Sequence, residues 1–284
     1  MVMHVVFLGM ECAASEPPLA ALFRAGIGVR AVVLPGGSGE PATALEAGVA
    51  GLAGAARVPV LRVAGMGPGT VERIAAHRPD AVVVACFPWR LPRALLGVPR
   101  LGCLNVHPSL LPTGRGPEPV FWTLRRGERR TGATVHRMDA GFDTGPIVAR
   151  AEVGVPPGVR APALERRLMA LGGRLLAASL PRLAAGEIAA TPQGEAGASR
   201  APLPTADDWL VPTSLPGAWA YAFARGVAPL GGPLALWVGA TGERYALRDA
   251  LDHGPESMAE PVVEEGDGVL RVRFRPGWVR FRLG

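Results

Sequence analysis

The first hundred residues alternate strand-like apolar runs with helix-like segments, and this alternation constrains the fold more than any other feature. The apolar runs occur at His4–Leu8, Val29–Leu34 and Ala81–Cys86, and helix-like segments occur at Pro18–Arg24 and Thr70–His77. The third run opens with five consecutive apolar residues, which suits a strand covered on both faces. The sequence therefore predicts an α/β fold in which a mostly parallel sheet forms the core of a first domain.

The middle of the chain is predicted to complete this domain. Gly116–Arg126 reads as a helix, and Thr131–Met138 and Ile147–Val153 read as strands joined by the loop Asp139–Pro146. Leucines then recur at helical spacing, at Leu164, Leu168, Leu171, Leu175 and Leu183. We expect this helix to pack on the sheet and to close a first domain over residues 1–193.

The rest of the chain is predicted to be a linker and a smaller domain. Residues 194–204 are rich in Gly, Ala, Ser and Pro, which is typical of a linker. Val269–Arg275 and Trp278–Leu283 alternate around Pro276-Gly277, which predicts a β-hairpin. We therefore expect residues 205–284 to form a β-rich, OB-like domain. The side chains expected to face inward are Leu270, Val272, Phe274, Val279, Phe281 and Leu283.

Arginines form a ladder on the other face of this hairpin. They are Arg271, Arg273, Arg275, Arg280 and Arg282. Such a ladder could hold phosphates, but a solvated face is favoured because acidic residues are near in sequence. The acidic residues expected to neutralise it are Glu260, Glu264, Glu265 and Asp267.

The composition does not resemble that of a collagen-like, coiled-coil or disordered chain. Of the 284 residues, 49% are hydrophobic, which is typical of a globular chain. The apolar run Val5–Leu8 has no basic flank and is too short for a signal peptide, so we expect a cytoplasmic protein without a membrane segment. Cys12, Cys86 and Cys103 show neither metal-ligand spacing nor a redox motif, and we interpret them as small core residues.

The charge is unevenly distributed along the chain. All 30 basic residues are arginines, and the net charge is +6. Residues 1–200 carry a net charge of +8, and residues 201–284 carry −2. A basic first region is compatible with a polyanionic partner such as nucleic acid, or with an anionic small molecule such as folate.

Three polar residues suggest a catalytic site. Asn105 and His107 fall at the end of a predicted strand, where open α/β sheets place their chemistry, and Asp143 lies in a later loop. They supply an amide N–H, a proton carrier and a carboxylate. Ser109 is poorly placed to act as a nucleophile for His107, so direct attack by a substrate amine or by water is favoured over a covalent intermediate. His136 is expected at the surface.

The residues around this trio resemble the signature of formyltetrahydrofolate-dependent formyltransferases. The matching segments are Asn105-Val106-His107-Pro108-Ser109-Leu110-Leu111-Pro112, Arg115-Gly116, Pro119, Trp122, Thr131-Gly132-Ala133-Thr134-Val135-His136 and Asp139-Ala140-Gly141-Phe142-Asp143-Thr144-Gly145. The resemblance implies a Rossmann-like formyltransferase fold, 10-formyltetrahydrofolate as the formyl donor and no metal. It also implies that Asn105, His107 and Asp143 are catalytic.

In this family the pterin of the folate lies against two loops. The matching residues here are Phe87, Pro88, Trp89 and Leu91 after the fourth strand, and Asp139, Ala140, Gly141 and Phe142 before the aspartate. The aromatic and proline side chains offer flat apolar surfaces to a pterin, although core packing is as plausible for Phe87. The resemblance also implies a cis peptide bond between Leu111 and Pro112.

Within the family, the opening segment Gly9–Pro18 resembles that of methionyl-tRNA formyltransferases, which implies initiator methionyl-tRNA as the acceptor. Two departures favour other acceptors. The segment Pro35–Glu40 lacks the basic insertion usual in that enzyme, and Glu118 stands where a small residue is usual. An amino sugar or an amino acid is therefore a competing acceptor.

Other functions stay open at this point. The same trio would serve a formyltetrahydrofolate hydrolase, and an inactive folate-binding protein or a nucleotide-binding module are further alternatives. Arg115 could bind an anionic group of a substrate or brace its loop through backbone carbonyls. Glu118 is interpreted as a solvated residue in the first turn of a helix, or as a group that recognises the acceptor amine.

Overall fold

The computed structural model describes residues 3–36, 48–239 and 241–284. Within these ranges the first sheet has seven strands. They are β1 (His4–Leu8), β2 (Gly28–Pro35), β3 (Val60–Val63), β4 (Ala81–Val84), β5 (Cys103–His107), β6 (Arg130–Arg137) and β7 (Ile147–Gly154). Their order across the sheet is β3-β2-β1-β4-β5-β6-β7.

Most of this sheet is parallel, as the sequence predicts. Strand β1 pairs in parallel with both β2 and β4, and β4 pairs in parallel with β5. Strand β6 then runs antiparallel to β5. The chain builds the sheet outward in one direction from β1 and in the opposite direction from β4. The carboxyl ends of β1 and β4 therefore form the crevice in which open α/β sheets bind their ligands.

Helices connect the strands and bury the sheet. They are α1 (Glu16–Arg24), α2 (Val49–Ala55), α3 (Pro68–Ala76), α4 (Arg93–Leu96), α5 (Pro119–Arg125) and α6 (Ala161–Ala184). One core contains Phe7, Leu104 and Val106 of the sheet together with Met169 and Leu176 of α6. A second core is built on the opposite, alternate residues of the strands, such as Val6 and Val82. The prediction that the long helix packs on the sheet is confirmed.

Some element boundaries differ from the predictions for local backbone reasons. Helix α5 begins at Pro119 rather than Gly116, since proline is favoured at the first helical position. Strand β4 ends at Val84, because Cys86 adopts a positive φ of 54°. Elements α2, β3 and α4 were not predicted; they are short, and five of the seven residues of α2 are Gly or Ala. The Leu111–Pro112 bond is cis, as the family resemblance implied.

The second sheet contains six strands within the described residues, in the order β11-β12-β13-β10-β9-β8. They are β8 (Leu210–Pro212), β9 (Ala235–Val238), β10 (Glu243–Gly254), β11 (Val262–Gly266), β12 (Val269–Arg273) and β13 (Trp278–Leu283). Helix α7 (Gly217–Val227) and two short 3-10 helices, Ala206–Trp209 and Ala228–Leu230, accompany it. The predicted β-rich character of this part of the chain is confirmed.

The predicted hairpin is present, since β12 and β13 pair antiparallel. Leu270, Val272 and Phe281 are buried, as expected from the alternation. Among the residues that the structure describes, two of the five ladder arginines pair with acids, and Arg273 donates to the backbone carbonyl oxygens of Met258 and Ala259. Arg271 binds Glu265 at 2.6 Å, and Arg280 binds Glu265 and also Asp252, which the sequence did not single out. Of the four acids expected to neutralise the ladder, Glu265 forms ion pairs with it, so the expected neutralisation is confirmed only in part.

Contacts divide the chain into two compact units that interleave in sequence. The first comprises residues 1–116, 132–153 and 165–200, and the second comprises 117–131, 154–164 and 201–284. The domain limits 1–193, 194–204 and 205–284 stay a prediction. Of the segment Pro35–Glu40, Gly37–Glu40 lies outside the described residues. In the part of the chain that is described, no helix is long and apolar enough to cross a membrane.

Candidate active site

Strands β5 and β6 bring the polar residues of the site together. Asn105 and His107 are two residues apart on β5 and therefore project from the same face of the sheet. In the antiparallel register of β5 and β6, Asn105 lies opposite His136. Directly opposed residues of neighbouring strands share a face, so the His136 ring is a neighbour of the Asn105 amide.

Asp143 joins this group from the loop after β6. Its Oδ1 lies 3.3 Å from Asn105 Nδ2, and its Oδ2 accepts the backbone N–H of Gly116 at 2.9 Å. Gln193 Nε2 donates to the backbone oxygens of Asp143 and Gly145, at 2.8 and 2.7 Å. These bonds hold Asp143 at a positive φ of 54°, an uncommon conformation for a residue with a side chain.

The imidazole of His107 is held from both sides. It is only 5% exposed, and its Nε2 lies 2.8 Å from the carbonyl oxygen of Gly114. A carbonyl oxygen can only accept, so the hydrogen on Nε2 is engaged there. Nδ1 lies 3.7 Å from Asp143 Oδ2 and is the nitrogen that can exchange a proton.

Burial lowers the pKa of His107 below its ordinary value of 6.5, because the charged ring is poorly solvated. Asp143 and the Gly114 carbonyl act in the opposite direction, whereas His136 lowers the pKa further. The net effect lowers the pKa of His107. His107 is therefore neutral near pH 7, and its Nδ1 presents a lone pair.

The carboxyl group of Asp143 is stabilised as an anion. Burial alone would raise its pKa, but the positive charge that His107 carries when protonated, the contacts with His136 and the hydrogen bond from the Gly116 amide outweigh burial. The net effect holds the pKa of Asp143 well below its ordinary value of 3.8. A carboxylate that accepts several N–H bonds keeps its charge even when partly buried.

His136 is a member of the site that sequence reasoning missed. It was expected at the surface, but it is 1% exposed. Its Nδ1 lies 3.0 Å from the Arg137 carbonyl, and its Nε2 lies 3.4 Å from Asp143 Oδ1 and 3.3 Å from Asn105 Nδ2. Strand alternation gives only the face of His136. The register with Asn105 decides its neighbours, and that register was not predicted.

The two predicted folate loops contact each other. Arg90 donates to the Ala140 carbonyl oxygen, and its guanidinium lies 4.8 Å from the centre of the Phe142 ring. Phe142 is 53% exposed, and its neighbours Asp139, Ala140 and Gly141 are also exposed. The Asp139 carboxylate accepts the Gly141 N–H at 2.9 Å and the Thr144 hydroxyl at 2.8 Å, so it shapes its own loop.

The residues after β4 divide between the core and the surface. Leu91 is buried in the second core. Phe87 and Trp89 are partly buried against that core, with ring centres 5.4 Å apart in an edge-to-face arrangement, and Pro88 is exposed. Phe87 and Trp89 therefore pack against the core and still leave part of each ring accessible.

Arg115 and Glu118 have different surroundings from those expected. Arg115 is 9% exposed and donates to Gln193 Oε1 at 3.1 Å and to Glu195 at 3.2 Å, so it braces its loop through side chains rather than backbone carbonyls. Glu118 was interpreted as solvated, but it is half-buried, and burial raises its pKa. Among the described residues, no group of three potential ligands could hold a metal ion.

The amide of Asn105 and the buried imidazole of His107 at the end of β5 meet the partly buried carboxylate of Asp143 from the loop after β6, a set of groups suited to acyl transfer to a nucleophile supplied by the substrate. The matching family model, described as "Formyl transferase", covers residues 62–180. Methionyl-tRNA formyltransferase from Chloroflexus aggregans is 38% identical over 95% of this chain and 91% of its own length. That from Roseiflexus sp. is 34% identical over 94% and 83%. The chain belongs to the formyltransferase family and is a formyltransferase.

Solved structures share the fold over the whole chain. The N-formyltransferase from Helicobacter canadensis has a TM-score of 0.70 at 13% identity, with 100% of this chain and 99% of that one covered. HypX from Aquifex aeolicus has a TM-score of 0.67 at 17% identity, and the match covers 99% of this chain but 44% of HypX. At these identities, the likeness concerns the fold.

Proposed function

We propose that this enzyme transfers the formyl group of 10-formyltetrahydrofolate to the amino group of methionine carried by initiator tRNA. The observation that carries the proposal is the convergence of Asn105 and His107 on the carboxylate of Asp143. The relatives that cover most of the chain at 34% to 38% identity are methionyl-tRNA formyltransferases, which favours the transfer RNA acceptor.

The chemistry follows from the groups present. The neutral acceptor amine attacks the formyl carbon, and the carbonyl oxygen becomes an oxyanion. Asn105 Nδ2 turns from Asp143 to this oxygen and donates a hydrogen bond to it, which stabilises the charge that develops in the transition state. The bond between the formyl carbon and N10 then breaks, and N10 leaves with a proton as tetrahydrofolate.

His107 carries the proton between these two nitrogens. Its Nδ1 accepts the proton released by the attacking amine, directly or through water, and returns it to N10. Asp143, 3.7 Å away, stabilises the imidazolium that exists between these steps. While protonated, Nδ1–H can also donate to the oxyanion. No covalent enzyme intermediate is required.

The folate donor is assigned to the two loops joined by Arg90. The pterin would lie against the segment Phe87, Pro88, Trp89 and Leu91 and against the segment Asp139, Ala140, Gly141 and Phe142. The exposed Phe142 ring and the partly exposed Trp89 offer apolar faces there. The H. canadensis neighbour was solved with folinic acid, which supports a folate in this fold.

The experiment compares acceptors with one donor. The purified protein is incubated with 10-formyltetrahydrofolate and with methionyl initiator tRNA, a nucleotide-linked amino sugar, free methionine or no acceptor, and tetrahydrofolate release is followed. Rapid release with the charged tRNA alone is expected. Equal release without an acceptor would identify a hydrolase, and release with only the amino sugar would replace the tRNA by a small-molecule acceptor.

Two variants test the assigned roles. His107→Ala is expected to lower kcat by about 10²-fold or more while the affinity for folate is kept, because the ring moves protons and does not hold the donor. His77→Ala removes a histidine at the end of α3 and serves as the matched control with unchanged kcat. Full turnover by His107→Ala would remove the histidine from the mechanism.

A further inference from the structure

Two cysteines that are distant in sequence meet at the carboxyl ends of β1 and β4. Cys12 lies in the turn before α1, and Cys86 lies two residues after the end of β4. The two strands are parallel neighbours, so the segments that follow them leave the sheet side by side. The Cys12 and Cys86 sulfur atoms are 3.5 Å apart. The sequence predicted no pair, because the two residues are separated by 74 positions.

The sequence suggested core cysteines, but Cys86 lies outside the core and Cys12 only packs against its edge. Cys12 is half-buried and Cys86 is exposed, whereas Cys103 is 1% exposed and lies in the second core. Cys86 also has a positive φ of 54°, which costs free energy for a residue with a Cβ. In this backbone conformation the Cys86 sulfur lies beside the Cys12 sulfur.

The surroundings of Cys12 stabilise its thiolate, which is the form of a cysteine that attacks disulfides. Once Cys12 ionises, the Cys86 thiol donates a hydrogen bond to its sulfur, which lowers the pKa of Cys12 below its ordinary value; partial burial opposes this effect without reversing it. Ser15 and the backbone amides of the same turn also lower it. Cys103 is the opposite case, since burial raises its pKa to about 12.

We propose that Cys12 and Cys86 form a thiol–disulfide exchange site that reacts with low-molecular-weight disulfides and ends as an intramolecular Cys12–Cys86 disulfide. The Cys12 thiolate attacks one sulfur of the small disulfide, which forms a mixed disulfide and releases one small thiolate. Cys86 then attacks the Cys12 sulfur and releases the second. Two protein thiols are oxidised, one small disulfide is reduced to two thiols, and the two protein protons pass to these thiols.

The geometry requires only a small rearrangement. A disulfide bond is about 2.05 Å long, so the two sulfurs must approach by roughly 1.5 Å. Both lie in connecting segments rather than inside strands, and such segments move more readily than the sheet. Because the Cys86 segment continues into Phe87 and Trp89, oxidation is expected to weaken donor binding; this consequence alone rests on the proposed function.

The test uses the full chain, first reduced and then incubated with glutathione disulfide. Wild-type protein is expected to lose two of its three thiols, to become lighter by two hydrogen atoms, and to yield a peptide that links Cys12 to Cys86. Cys103→Ala is the matched control and should form the same link. Cys86→Ser should instead retain one bound glutathione on Cys12, and Cys12→Ser, which lacks the attacking thiolate, should keep its two thiols.

Two outcomes would overturn the proposal. Three intact thiols after oxidation would exclude an exchange site, and separate glutathione adducts on Cys12 and Cys86 without a cross-link would exclude the intramolecular bond. Thiol counts need no folate, so they are independent of the formyl transfer assay.

In a second measurement, folate affinity should fall at least several-fold on oxidation of the wild type and recover with dithiothreitol, and it should not change on oxidation of Cys12→Ser.

Discussion

At the scale of single residues, Asp143 is the group that the other polar side chains of the site share. Its carboxylate lies within 3.3 to 3.7 Å of Asn105, His107 and His136. The partly buried carboxylate of Asp143 and the His136 ring both act on the pKa of His107. The proton balance of the site therefore belongs to the cluster rather than to His107 alone.

The first prediction concerns the pH dependence of turnover. Asp143 raises the pKa of His107 and His136 lowers it. Because neutral His107 acts as the base and its pKa is lowered, the acidic limb of kcat/KM should lie below the range of an ordinary histidine. Asp143→Asn should move this acidic limb to lower pH and reduce the rate on the order of 10²-fold. His136→Gln should move the limb to higher pH.

The opposite signs of these shifts make the prediction specific. Glu187→Gln removes an exposed carboxylate that pairs with Arg182 on the surface, and it should leave the profile unchanged. The measurement is kcat/KM for formyl transfer as a function of pH. Shifts of the same sign in the two site variants would contradict the assignment of His107 as the titrating base.

At the scale of the structural element, the loop between β6 and β7 depends on its glycines. A Cβ added at Gly145 would lie 1.9 Å from the carbonyl oxygen of Arg137, and one at Gly141 would lie 2.1 Å from Thr144 Oγ1. Backbone atoms cannot move aside as a flexible side chain can. The close approach at Gly145 therefore maintains the path of the chain that carries Asp143.

The second prediction follows from this close approach. Gly145→Ala should force the loop away from β6 and destabilise the protein by about 1–3 kcal/mol, with a larger loss of kcat because Asp143 moves. Gly69→Ala in α3 is the control, since nothing lies within 4 Å of its added Cβ and alanine favours a helix. Urea unfolding and kcat measure the two effects. Wild-type kcat in Gly145→Ala would show that the loop tolerates the shift.

At the scale of the whole molecule, the second compact unit is assembled from distant parts of the chain. Phe121 of α5 packs against Trp209 and Phe223, with ring centres 4.9 and 5.8 Å away. Arg160, in a segment between β7 and α6, pairs with Asp249 of β10 at 2.6 Å. A cut at the predicted linker would therefore divide one aromatic core.

The third prediction is that residues 1–204 alone do not form a stable protein. Loss of Trp209 and Phe223 exposes Phe121, and deletion of comparable aromatic packing costs about 3–5 kcal/mol. The truncated chain should aggregate, or melt well below the full chain and bind a hydrophobic dye. A cooperative melt at the temperature of the full chain would show that the segment 1–204 folds independently.

The sequence by itself determined the class of fold and the chemistry of three residues. Continuous apolar runs and leucines at helical spacing report burial directly, so strands such as His4–Leu8 and the helix around Leu168 could be predicted from local pattern alone. Asn105, His107 and Asp143 were predicted because their side-chain chemistry is intrinsic and the flanking pattern resembles a known family.

Only the tertiary structure decided which groups share a space. His136 entered the site through the register of two antiparallel strands, Gln193 through a hydrogen bond across 50 residues, and Cys12 met Cys86 through the pairing of β1 with β4. None of these neighbours leaves a local periodic signal. Strand order and register are set by the free energy of packing the whole sheet, so they become visible only when the chain has folded.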